Sequence, residues 1–180
     1  MDVYAAWVRS NPLLSAFIHF AILGTLGEFI SHLLRNKHAA GFGSPAVIAG
    51  KVLAWAVLGI VIKYGFAGMK GFVSALLEHG MLPSFMNDGV ARAFAVSTAT
   101  NVFFGPQMMF LHRLEDNLIL RRFDYSGMKK PLMTLLWFWI PAHTITFSLP
   151  PDFQIGLAAV WSVALGIILG LAAPKKQPTV

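Results

Sequence analysis

Long blocks of apolar residues alternate with short polar segments along the whole chain. A helix that crosses a bilayer needs about 20 predominantly apolar residues, and five blocks reach or approach that length. The blocks are residues 13–34, 46–66, 90–111, 131–149 and 153–172. The pattern predicts an all-α transmembrane helix bundle of about five spans, formed by a single membrane domain that covers residues 1–180.

Two further segments are expected to lie at the membrane surface. Residues 69–82 are apolar but too short to cross, which predicts a re-entrant or interfacial helix. Residues 112–130 place apolar side chains on one helical face and charged ones around it, which predicts a helix lying at the interface. Its basic side chains are expected to contact anionic lipid headgroups. These are Arg113, Arg121, Arg122, Lys129 and Lys130.

The composition favours the same class of protein. The chain is 56% hydrophobic and 12% charged, with a mean hydropathy of +0.64, whereas soluble domains carry about 25% charged residues. It contains no cysteine, which excludes disulfides, thiolate metal sites and cysteine nucleophiles. The net charge of +6 is interpreted as a topology signal and not as a nucleic-acid-binding surface, because basic residues of membrane proteins concentrate on the cytoplasmic side.

The distribution of basic residues predicts the orientation. In a five-span arrangement, most of the 14 Lys and Arg residues fall on the side of the C-terminus, which is therefore expected to be cytoplasmic, or matrix-facing in an organelle. The bacterial inner membrane is the expected location, with the mitochondrial inner and peroxisomal membranes as alternatives. Lys51 and Lys63, near the ends of the second block, are expected to extend toward the interface.

Glu28 is the most informative polar residue, because it interrupts the first apolar block. An ionisable side chain within a spanning helix costs about 2.5–3.5 kcal/mol on insertion scales, so it is expected to face a partner or a wet cavity. Helical spacing places it on one stripe with Gly24, Thr25, Ser31 and His32. The stripe predicts a polar face directed into the bundle.

Two other blocks carry comparable stripes. The third block places Asn101 among small and hydroxyl residues and ends at Pro106 and Gln107. The fourth places His143 and Thr146 on one face soon after Pro141, and each proline is expected to kink its helix. The stripes are interpreted either as polar contacts that hold helices together or as the lining or gate of a solute path. The candidate path residues are Glu28, His32, Asn101, Gln107, His143 and Thr146.

A metal site is an alternative hypothesis. Glu28 and His32 are four residues apart, and His112 and Glu115 are three apart, with both pairs expected toward the cytoplasmic side. Two carboxylate–histidine pairs on neighbouring helices would suit zinc or a di-iron centre. The chain has no phosphate loop, HExxH or GxSxG motif, so the main prediction is a protein without enzymatic activity, metal or cofactor. The five tryptophans are expected to face lipid or the interface.

Three segments carry a family resemblance. Asn11-Pro12 followed by GTLGEFISH at 24–32 resembles an opening "P…GxGDxxSQ" motif, and TNVFFGP at 100–106 resembles "DQxxxxP". WIPAHTITFSLPP at 139–151 resembles "WPxxQxxNFxxVP", and Trp161 follows in the last block. In order along most of the chain, these segments are similar to the Mpv-seventeen/peroxisomal membrane protein family.

The resemblance implies a small multi-helix membrane protein that forms pores or permeation paths. The chain departs from the family pattern at several positions. Glu28 replaces an Asp, His32 replaces a Gln, and Ile140 separates the Trp-Pro pair. No match to the family's "GPxxHxWYxxLD" segment is found in the second block. A distant, bacterial relative is therefore the expected relationship.

The lead hypothesis is a channel-like integral membrane protein for passive permeation of small solutes, acting as a homo-oligomer in the lipid bilayer. The alternatives are a membrane-embedded metalloprotein or enzyme using Glu28, His32, His112 and Glu115, or a non-transporting subunit of a membrane assembly.

Overall fold

The computed structural model describes residues 2–171, and within that range the chain is helical without a strand. The prediction of an all-α fold is confirmed. Ala172 of the fifth predicted span, and Lys175 and Lys176 used to predict the orientation, lie outside the described residues. The α-helices are α1 (Asp2–Ser10), α2 (Pro12–Asn36), α3 (Pro45–Glu78), α4 (Gly89–Ala99), α5 (Gly105–Ile119), α6 (Lys129–Thr134), α7 (Ile140–Phe147) and α8 (Pro151–Leu171).

Three of these helices are long and apolar enough to cross a membrane. They are α2 with 25 residues, α3 with 34 and α8 with 21. Large apolar side chains cover much of the outer surface, among them Leu53, 58% exposed, and Ile22, 60% exposed. An apolar exterior of this kind is unfavourable in water and suits a lipid environment. The structure is therefore compatible with an integral membrane protein.

The two candidate kink prolines each follow a π-helical turn. One turn, Thr100–Phe104, joins α4 to α5 just before Pro106, and the other, Leu135–Trp139, joins α6 to α7 just before Pro141. Proline lacks an N–H group and its ring crowds the carbonyl four residues earlier. A wider turn relieves that crowding, and residue 105 accordingly donates its backbone N–H to the carbonyl of residue 100. The helical path is thus continuous over residues 89–119 and 129–147.

Residues 69–82 do not form a separate re-entrant or interfacial helix, because α3 continues through them to Glu78. Three glycines in this region, at 65, 68 and 71, each cost a helix about 1 kcal/mol relative to alanine, but no proline breaks the hydrogen-bond ladder. Val73, 1% exposed, packs in a buried cluster with Val96 of α4. That packing stabilises the extra turns.

Residues 112–119 are likewise not a separate interfacial helix, because they are the last turns of α5. The helix ends at Ile119, Leu120 caps it, and Arg121 adopts a left-handed conformation with φ of 51°. In the loop that follows, hydrogen bonds from Ser126 hold the pKa of Asp124 below its usual range. The N–H group of Ser126 lies 2.8 Å from the Asp124 carboxylate.

The helix α2 lies between α3 and α8 and packs closely against both. A Cβ atom on Gly27 would lie 2.6 Å from the backbone carbonyl oxygen of Ser162, and one on Gly166 would meet the backbone carbonyl of Gly27. Small residues allow membrane helices to approach at backbone distance, where dispersion contacts are dense. The α2–α8 contact therefore depends on glycine at both positions.

Candidate solute path

The most polar contact inside the bundle is an ion pair between Glu28 of α2 and Lys51 of α3. The Lys51 side chain is 8% exposed and that of Glu28 is 23% exposed. Trp55 donates its indole N–H to the second carboxylate oxygen of Glu28 at 3.2 Å. The Lys51 ammonium also lies 5.1 Å from the centre of the Phe42 ring. Both carboxylate oxygens of Glu28 therefore have a donor from α3.

Local sequence spacing positions this cluster. Lys51 and Trp55 are one helical turn apart on α3, and Gly24 and Glu28 are one turn apart on α2, so each pair shares a face. The Trp55 ring occupies the space that a side chain at Gly24 would need. The glycine thus lets the indole reach Glu28.

Glu28 lines a charged cavity of about 390 Å³ between α2, α3, α5, α6 and α8. The cavity lies toward the end of the bundle that carries loops 37–44 and 120–128. Its charged and imidazole-bearing lining residues are Glu28, Arg35, His112, Arg113 and Asp116. Acidic and basic groups are balanced in this set, so the cavity is polar without a dominant charge.

A central cavity of about 100 Å³ follows further along the bundle. Its walls are mainly apolar and aromatic, and its polar lining residues are Thr100, Asn101, His112, His143 and Ser162. The His112 ring stands 4.5 Å from the Trp55 ring, centre to centre. The charged and central cavities adjoin, because they share five lining residues. These are Trp55, Met109, His112, Trp139 and Ser162.

A short hydrogen-bond network fixes the polar wall of the central cavity. Asn101 donates from its amide to the backbone oxygen of Ser97 at 2.8 Å and to Nδ1 of His143 at 3.1 Å. Ser97 in turn donates to the backbone oxygen of Ile140 at 2.7 Å. The network joins α4 to the segment that contains Pro141. Trp139 adds a buried indole N–H that has no hydrogen-bond partner among the described residues.

A basic cavity of about 440 Å³ lies at the opposite end, beside the turn between α7 and α8. Lys70 and Arg92 line it together with Gln154, and none of its lining residues is acidic. Three rings in mutual contact link its wall to that of the central cavity, since Phe147 lines the basic cavity and Phe66 and His143 line the central one. The centre of the Phe66 ring lies 5.2 Å from that of His143 and 4.8 Å from that of Phe147.

The three cavities follow one another along the same helices. On α3 the lining passes from Lys70 through residues 66–58 to Trp55. The helical segment 89–119 runs the other way, from Arg92 through Asn101 to Asp116. The helix α8 likewise lines the basic cavity at Gln154, the central cavity at Ala158 and the charged cavity at Leu169. The interior contains a row of three spaces with one layer of rings, Phe66, His143 and Phe147, between the second and the third.

Three of the sequence-predicted path residues line a cavity, and the others do not. Glu28 lines the charged cavity, and Asn101 and His143 line the central cavity. Gln107 is exposed on the outer surface. Thr146 is fully buried and accepts a hydrogen bond from the indole of Trp161 at 3.1 Å.

His32 is separated from the Glu28 cluster. Its Nε2 atom lies 3.1 Å from the backbone oxygen of Ala40, and its Nδ1 atom lies 3.1 Å from the Asn36 amide. The His32 side chain therefore stabilises the loop that follows α2 by binding its backbone. Within residues 2–171, no group of three or more His, Asp or Glu side chains is arranged to hold a metal. The structure accordingly does not gather Glu28, His32, His112 and Glu115 into a metal centre.

The basic residues proposed for headgroup contact also divide. Arg113 is half-buried and lines the charged cavity. The other four are exposed at the same end of the bundle, so their side chains are free to contact lipid headgroups. These are Arg121, Arg122, Lys129 and Lys130.

Sequence reasoning missed Lys51, Trp55 and Trp139. Lys51 was expected to extend toward the interface, yet its side chain is buried against Glu28. The tryptophans were expected to face lipid or the interface, yet Trp55 and Trp139 line cavities. The sequence did contain one signal for Lys51, because a lysine and a carboxylate in neighbouring apolar blocks can neutralise each other.

Comparisons of this chain with models of protein families, with curated proteins and with solved structures found no match.

Proposed function

We propose that this chain is a channel-like integral membrane protein for the passive permeation of small solutes. The observation that carries the proposal is the row of three cavities along one helix bundle, interrupted by a single layer of rings. Glu28 lines the charged cavity and Asn101 and His143 line the central one. Ionisable groups directed into the interior of a membrane bundle commonly mark a solute pathway.

The proposal includes five membrane crossings. Besides α2, α3 and α8, the continuous helical segments 89–119 and 129–147 are taken to cross. At about 1.5 Å per residue the shorter segment spans about 28 Å, close to the hydrocarbon thickness of about 30 Å. Both segments direct large apolar side chains outward, for example Phe103, 57% exposed, and Trp137, 53% exposed.

The proposed orientation places the charged cavity and the C-terminus on the cytoplasmic or matrix side. The end of the bundle that carries this cavity also carries Arg35, Lys37 and most of the other basic loop residues, which is the side that positive charge favours. A bacterial inner membrane, assembly as a homo-oligomer and a distant relationship to the Mpv-seventeen/peroxisomal membrane protein family belong to the same proposal.

The row of cavities suggests how permeation would be controlled. Because Lys51 neutralises Glu28, the pair does not attract cations as strongly as an isolated carboxylate would. The barrier in this proposal is the layer formed by Phe66, His143 and Phe147, whose rings pack against one another where the central and basic cavities approach. Apolar constrictions close membrane pores by excluding water, so this layer acts as the gate and its rings move when a solute passes.

Solute flux in reconstituted liposomes tests the proposal. Wild-type protein is expected to release entrapped small solutes. Met108→Trp is expected to reduce the release at least severalfold, because Met108 lines the central cavity and the larger ring fills it. Phe110→Trp is the matched control, since Phe110 lies on the same helix and is 47% exposed. Tight liposomes with folded wild-type protein, or equal flux in both variants, would contradict the proposal.

A further inference from the structure

The basic cavity has an uncompensated positive charge. Lys70 of α3 and Arg92 of α4 both line it. Among the described side chains, neither forms an ion pair with a carboxylate. Asp152, at the same end, is paired with Arg9 at 2.6 Å. Two cations in a partly enclosed site without an acid create a potential that favours an anion.

The partners of both cations are neutral and leave donors available. Lys70 donates to the Gln154 side-chain oxygen. Arg92 donates to the Ser74 hydroxyl at 2.7 Å and to the Asn87 carbonyl at 3.3 Å. An ammonium carries three N–H donors and a guanidinium carries five. The cavity therefore holds two side chains that are positioned by neutral acceptors and can still bind a ligand.

The start of α4 adds a third source of positive potential. Gly89 and Val90 line the cavity, and the Asp88 side chain makes no capping hydrogen bond. The first N–H groups of a helix carry a partial positive charge and bind anions when no side chain caps them. The Asp88 carboxylate offsets part of this potential, so the contribution of the helix end is the uncapped N–H donors that it presents beside Lys70 and Arg92.

From this geometry we propose that the basic cavity binds a phosphate group. A phosphate monoester carries about −1.5 to −2 charge at neutral pH, which the two cations match, whereas a carboxylate would leave one of them unbalanced. The volume of about 440 Å³ exceeds the roughly 30 Å³ share of a water molecule many times, so a phosphate with an organic substituent fits. The phosphate site itself follows from the geometry, and the inference rests on the proposed function only where it identifies the bound molecule as a permeating solute.

Titration calorimetry of the delipidated full-length protein with inorganic phosphate tests the site. Saturable binding is expected, with the dissociation constant raised about tenfold or more in Lys70→Gln and in Arg92→Gln, because each loses a charge-assisted hydrogen bond. Lys37→Gln removes one positive charge from an exposed loop at the other end and is expected to bind as wild type does. If Arg92→Gln does not fold, Arg92→Lys is expected to bind more weakly than wild type, since lysine lacks the planar fork.

A second arm distinguishes a free phosphate from a lipid phosphate. Native mass spectrometry after addition of phosphatidic acid, whose headgroup is a phosphate monoester, would show retained lipid if a headgroup occupies the cavity, and the two glutamine variants would lose it. Absence of residue-dependent binding of both probes would overturn the inference. Phosphate binding without solute flux would reject the channel and keep the site, whereas flux without such binding would reject the site and keep the channel.

Discussion

Glu28→Gln is expected to lower the free energy of unfolding by about 3 kcal/mol. The substitution removes the carboxylate that neutralises Lys51, whose side chain is 8% exposed. Removing one partner of a buried ion pair costs about 3–5 kcal/mol, since it leaves an uncompensated charge in a low-dielectric interior. The lower end of that range applies because Glu28 is 23% exposed. Denaturant titration of the protein in mixed micelles, followed by circular dichroism, measures the change.

Two further variants separate the ion pair from a general effect of charge. Glu78→Gln removes an exposed carboxylate at the end of α3 and is expected to remain within about 0.5 kcal/mol of wild type. Glu28→Gln combined with Lys51→Met is expected to recover most of the loss, because a buried pair can be replaced by uncharged side chains at little cost. A double variant as unstable as the single one would rule out the unpaired lysine as the cause.

Gly166→Val is expected to destabilise the protein by about 3 kcal/mol. Its Cβ atom would overlap the backbone carbonyl of Gly27, and a backbone cannot move aside as a flexible side chain can. Overpacking typically costs about 1–3 kcal/mol, and the upper end applies because α2 and α8 would have to separate along their contact. The same micelle titration measures the loss.

The chain provides matched glycine controls for this experiment. A Cβ atom on Gly68 or Gly71 of α3 would meet nothing within 4 Å. Gly68→Ala and Gly71→Ala are therefore expected to leave stability unchanged or raise it by up to about 1 kcal/mol, because alanine is the better helix former. Equal effects of Gly166→Val and Gly68→Ala would contradict the close α2–α8 contact.

Apolar block length predicted the helical class and the approximate limits of α2 and α8, because burial of backbone hydrogen bonds in lipid leaves few alternatives to a helix. The same pattern could not predict that α3 runs to Glu78. Residues 69–82 were separated from the second block because they are too few to cross a membrane alone, and contacts with α4 stabilise the continuous helix instead. The polarity pattern of residues 112–119 similarly resembled an interfacial helix although these residues complete α5.

Glu28 could be selected from sequence because a carboxylate in an apolar block is costly. Its partner could not, because the depth of Lys51 depends on how α3 is rotated and on the space that Gly24 leaves for Trp55. His32 was placed on the Glu28 face by helical spacing. The loop after α2 instead folds back so that Ala40 binds its ring, a contact that no periodicity predicts.

The most direct test of the proposed solute path is the conductance of single Ser162→Cys channels in planar bilayers before and after a thiol-reactive methanethiosulfonate. The natural chain has no cysteine, so the reagent modifies only the introduced thiol, and Ser162 lies where the charged and central cavities meet. Conductance is expected to fall stepwise in this variant. It is expected to remain unchanged in wild type and in Val160→Cys, whose side chain faces outward and is 47% exposed. A folded protein without conductance, or conductance that persists in fully modified Ser162→Cys, would contradict a path through the bundle.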